Sequence, residues 1–97
     1  MQIAPVANKI LDITHVLSCS QSEKNEITDM AIEISKKYLD ELSTEDIRYV
    51  IDVALSSVYL SSKKVGCHYS FSDLANRTGY SLISWTRIVK DMQSKLI

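Results

Sequence analysis

Ninety-seven residues, 45% hydrophobic and 24% charged, with one proline and two glycines, are enough for one self-sufficient domain. So few breakers favour helices joined by short connections. No run of about 18 apolar residues occurs, which excludes a transmembrane helix, and MQIAPVANKI lacks the basic stretch before an apolar core that a secretory signal needs. The formal net charge of −1 averages two unlike halves. Through Ser62 five basic side chains meet ten acidic ones, a net −5; from Lys63 onward six meet two, a net +4. Such polarity suits two different partners, or simply solubility and cohesion between the halves.

Five helices are predicted in chain order. The first runs from about Pro5 to Leu17, with proline at an early position where its missing N–H costs nothing. Val6, Ala7, Ile10, Leu11, Thr14 and Leu17 keep a helical period, and His15 falls near the inward face as a core or boundary histidine. Ser20 and Glu23 have the spacing of a capping box and open a second helix reaching Leu42. Its inward residues are Ile27, Met30, Ala31, Ile34, Tyr38 and Leu42. Ser43, with Glu45 and Asp46, opens a third helix that runs to Lys64 and stops near Gly66. Tyr49, Val50, Ile51, Val53, Ala54, Leu55, Val58, Tyr59 and Leu60 occupy nearly every side of it. A helix apolar all round is one surrounded by others, so the third helix is expected to be the central post. The fourth begins after Ser70 and ends near Thr78, and the fifth covers Leu82 to Leu96.

The two cysteines, Cys19 and Cys67, belong to no CxxC pair, and with His15 and His68 they lack zinc-ligand spacing. Reduced thiols in an intracellular protein are the expectation. Cys67 beside His68 has no orienting third group. The acidic residues of the first half are scattered over helix surfaces, and no glycine-rich phosphate loop exists. No enzymatic activity, metal or cofactor is expected.

Residues 70–96 carry the clearest pattern. Ala75 is small enough for two helices to cross closely, and Gly79, four residues on, can adopt the positive φ of a sharp turn. Beyond the turn Leu82, Trp85, Ile88, Val89, Met92 and Leu96 advance by three and four, forming an inward stripe. Ser84, Thr86, Arg87, Lys90 and Asp91 are left toward solvent. This reads as a helix-turn-helix whose second helix presents a polar, partly basic face of the kind a DNA major groove accepts. The plainer alternative is a helical hairpin with a solvated outer face. Arg87 suits bidentate contact with a guanine edge, whereas Lys90, Lys63, Lys64 and Arg77 suit phosphates. Ser70 and Ser72 are read first as capping residues. Trp85 is assigned to the core, and Tyr80 stands in the turn.

The order Ile51 to Leu60, Lys63 to Gly66, Tyr69 to Ala75, Thr78 to Ser81 and Ile83 to Met92 resembles a cyclin box. More narrowly it resembles one repeat of the core of transcription factor IIB. The resemblance is strongest over residues 50–97, about half the chain. It implies an all-α, five-helix cyclin-like bundle over residues 1–97, with Arg77, Ser81, Ser84, Arg87 and Lys90 carried over as helix-turn-helix residues. That family has two repeats behind a zinc ribbon; here there is one repeat and no ribbon, so polymerase recruitment in the family's manner is not expected. The implied partners are double-stranded DNA, a protein of the transcription machinery or a second copy of the chain, with no membrane. The implied setting is intracellular, in cytoplasm or nucleus. A cyclin-like adaptor without DNA binding of its own is the second reading.

Overall fold

The structure, a computed structural model, describes residues 3–41, 49–80 and 82–96, with the side chains of residues 49 and 82–84 outside that description. These residues form five helices and no strand: α1 (Ile3–His15), α2 (Gln21–Glu41), α3 (Tyr49–Val65), α4 (Phe71–Thr78) and α5 (Leu82–Leu96). The expected opening of the third helix at Ser43 to Asp46, and the end of the second at Leu42, lie outside the described residues.

Local chemistry accounts for the helix ends. α1 stops two residues before Leu17, and the Val16 and Leu17 N–H groups donate to the Ile13 and Thr14 carbonyls at 3.2 Å. Leu17 is still buried, so the apolar period outlasts the helix. The capping box opens α2: the Glu23 N–H donates to Ser20 Oγ, and the Ser20 N–H donates to Glu23 Oε1, both at 3.2 Å. α3 ends in a Schellman turn, with Gly66 at φ 92° and the Cys67 N–H donating to the Ser62 carbonyl at 3.0 Å.

Packing centres on α3, which touches α1, α2, α4 and α5. Every residue from Val53 to Ser62 is buried, four serines among them. Ser57 and Ser62 donate to the Ala54 and Tyr59 carbonyls of their own helix, both at 2.9 Å. Turning the Ser57 and Ser62 hydroxyls onto the backbone offsets the cost of burying them, whereas Ser61 Oγ has no partner among the described residues.

The expectation of two reduced thiols is corrected. Cys19, in the α1–α2 connection, and Cys67, just past α3, form a disulfide with their Cα atoms 6.7 Å apart. They are separated by 48 residues, and only helix packing brings the two connections together. Tyr69 fills the space beside the bridge: its hydroxyl lies 3.3 Å from Cys19 Sγ and accepts the Ser18 N–H at 2.8 Å. His15 also departs from expectation. It is exposed at the rim of the cleft between α1 and α2, where its carbonyl accepts Lys24 Nζ at 3.2 Å, and the neighbouring Thr14 is the buried residue.

Candidate nucleic-acid interface

The unit formed by α4, its turn and α5 is built from local signals that each residue supplies. Ser70 caps α4, its Oγ accepting the Asp73 N–H at 3.1 Å, and Asp73 places a negative charge in the positive first turn. Gly79 sits at φ 77°, and its N–H donates to the Ala75 carbonyl at 2.8 Å. A Cβ there would meet no atom within 4 Å, so backbone conformation rather than space requires glycine.

α5 is locked onto the rest of the domain along one side. Trp85, Val89 and Met92 are buried, as is Leu74 of α4. Three aromatic rings join α3, α4 and α5: Tyr59 stacks on Phe71 at 4.3 Å, and Trp85 meets Phe71 edge-on at 5.2 Å. Ser56 Oγ of α3 lies 2.9 Å from the Trp85 carbonyl. A second tie comes from α2, whose Tyr38 hydroxyl donates to the Asp91 carboxylate. Asp91 also pairs with Lys95 at 3.6 Å. Asp91, assigned by spacing to the solvent side, is therefore half-buried and serves as an anchor.

Arg87 and Lys90 stand exposed on the outward side of α5. Lys63 and Lys64 are exposed in the last turn of α3, where cations suit the helix dipole, and Lys63 Nζ lies 5.4 Å over the Tyr59 ring. Lys64 and Lys37 rim a small groove of about 100 Å³ floored by Ile34, Leu60, Met92 and Leu96. Arg77 has a structural occupation: its Nη1 donates to Ser18 Oγ at 2.9 Å and to the Val16 carbonyl at 3.4 Å, and its guanidinium covers the Tyr69 ring. Ser81 and the Ser84 side chain lie outside the described residues.

One residue of this neighbourhood escaped sequence reasoning. Lys9 belongs to the acidic half, yet its Nζ donates to the Tyr80 hydroxyl at 3.3 Å, 71 residues away. Nothing in the spacing could have linked α1 to the turn before α5. Tyr80 is half-buried and packs against the core.

Among the described residues no group of three or more His, Cys, Asp or Glu side chains could hold a metal ion, and no helix is long and apolar enough to cross a membrane. No protein-family model, curated protein or solved structure matches the chain.

Proposed function

We propose that the chain is a DNA-binding transcription regulator or accessory initiation factor, a single cyclin-like domain with the helix-turn-helix at residues 70–96 as its working surface. The observation that carries this reading is the division of α5. Trp85, Val89 and Met92 fix one side into the core, while Arg87 and Lys90 project from the other. A helix held that rigidly, opened by an αL glycine turn and carrying two cations outward, has the character of a groove-reading element. Arg87 supplies base-edge contact, worth about 1–3 kcal/mol of discrimination. Lys90, Lys63 and Lys64 supply phosphate contacts, which set affinity and its salt dependence. Arg77 has its first duty in holding the α1–α2 connection, so its contribution to DNA is secondary. The acidic first half stays off the duplex or meets a basic protein.

The test is fluorescence anisotropy of labelled random and AT-rich duplexes at two salt concentrations, with Arg87→Glu/Lys90→Glu as the comparison. Salt-sensitive binding that the double variant loses supports the reading. Absence of binding at tens of micromolar overturns it.

The apolar groove beside Lys37 and Lys64 favours a second reading, a cyclin-like adaptor that holds a protein partner without binding DNA itself. An adaptor tolerates charge reversal on α5 and fails when the groove is filled. A homodimer, which would restore a two-repeat arrangement, fits either reading and is measured by light scattering. DNA reading places the chain inside a cell, where disulfides are rare outside hyperthermophiles, so the Cys19–Cys67 bridge narrows the setting in which both hold.

A further inference from the structure

Three donors from different parts of the chain converge where α1 passes the turn before α5. Lys9 of α1 bonds the Tyr80 hydroxyl at 3.3 Å, and its ammonium lies 6.0 Å from the Tyr80 ring centre. Arg77 lines the same cleft of about 130 Å³, together with Asp12 and Thr78. Lys9 is half-buried and bonds a neutral phenol rather than the Asp12 carboxylate one turn along its own helix. An ammonium has three N–H groups, so two remain after the bond to Tyr80, and the phenol keeps its own proton to give. The bonds of Arg77 to Ser18 and Val16 both use Nη1, which leaves its Nη2 and Nε donors. Thr78 is spent, its Oγ1 donating to the Leu74 carbonyl at 2.7 Å. Two cations against one carboxylate leave the lining of the cleft net positive.

We infer that Lys9, Tyr80 and the free edge of Arg77 form a phosphate-binding site, and that its occupant is a backbone phosphate of DNA lying at the start of α5. The inference rests on the DNA reading for that occupant; the oxyanion chemistry is independent of it. Tyr80 stands two residues before Leu82, so a phosphate held here would fix the register of the strand beside the helix that carries Arg87. A charge-assisted pair from Lys9, a hydroxyl donor from Tyr80 and a guanidinium edge match the several acceptor oxygens of one phosphate. On this inference the acidic half of the chain contributes one cation to the binding of DNA.

The decisive variants are Lys9→Ala and Tyr80→Phe, each checked for an unchanged helical circular-dichroism spectrum and melting transition. Anisotropy titrations of the same duplexes run from 50 to 200 mM salt. Loss of one phosphate contact lowers the slope of log affinity on log salt by about 0.9, so Lys9→Ala should lose about three- to fourfold less affinity than wild type across that range. Its weakening at low salt should be equal on random and AT-rich DNA. Tyr80→Phe, which removes a neutral donor, should weaken binding with the slope unchanged. A wild-type slope in Lys9→Ala overturns the inference. If wild type binds no duplex, the DNA reading falls by itself, and titration of ¹⁵N-labelled protein with inorganic phosphate decides the site. Shifts at Lys9 and Tyr80, with the Tyr80 shift lost in Lys9→Ala, then keep the site, with free phosphate as its occupant. No shift removes it.

Discussion

The guanidinium of Arg77 lies 5.3 Å from the centre of the Tyr69 ring, and both side chains grip Ser18. Tyr69 accepts its N–H at 2.8 Å and Arg77 donates to its hydroxyl at 2.9 Å. One residue of the α1–α2 connection is thus clamped by two residues of the segment that leads into and forms α4. Arg77→Ala and Tyr69→Phe should each cost about 1 kcal/mol, the usual net worth of such bonds. The double variant should cost less than the sum, since the pair shares one partner. Urea denaturation of the four proteins in the cycle measures both quantities.

The sulfur bridge gives the largest single prediction. Closing a loop across 48 residues removes unfolded-state entropy worth about 4 kcal/mol in the chain-entropy description. Addition of dithiothreitol should therefore lower the denaturation midpoint strongly, and Cys19→Ser/Cys67→Ser should reproduce the reduced protein and ignore the reductant. An equal midpoint for wild type with and without reductant would show that the thiols are not joined in solution.

Gly79→Ala tests the turn. The space beside the glycine is open, so any loss comes from forcing a Cβ into the left-handed region, about 1–2 kcal/mol. Gly79→Asn should cost less, because asparagine visits that region readily. Thermal denaturation ranks the three proteins, and the order wild type, asparagine, alanine is expected.

Trp85 is wholly buried and joins helices through Tyr59, Phe71 and Ser56, so Trp85→Ala should cost about 3–5 kcal/mol. Its Nε1 has no partner among the described residues. Trp85→Phe keeps an aromatic ring against Tyr59 and Phe71 and should cost well under half as much. Guanidinium unfolding followed by circular dichroism separates the two.

What the sequence disclosed was local. Ser20 with Glu23, Ser70 with Asp73, and Gly79 after Ala75 are signals within four residues of one another, and each sets the feature its chemistry demands. The inward stripe of α5 was legible for the same reason, since a period of 3.6 needs only its own segment. Whatever joins distant segments was hidden. Cys19 and Cys67 carry no mutual spacing rule, Lys9 lies 71 residues from Tyr80, and Tyr38 gives no sign of reaching Asp91. His15 fell one position from the buried Thr14, and a helical stripe read without its neighbours cannot resolve a difference of one residue at its edge. Arg77 was visible as a cation, but only the fold shows that its charge is partly employed in holding a loop.

The bridge also decides how the molecule carries mechanical load. Tension applied at the two ends would run through α1, cross from sulfur to sulfur and leave along α4 and α5, so α2 and the body of α3 lie outside the path. At about 3.5 Å per extended residue, ~170 Å of contour stays locked between Cys19 and Cys67, 48 residues apart, until the bond is reduced. A single molecule stretched in an optical trap would therefore lengthen in two stages under a thiol reductant and in one without it.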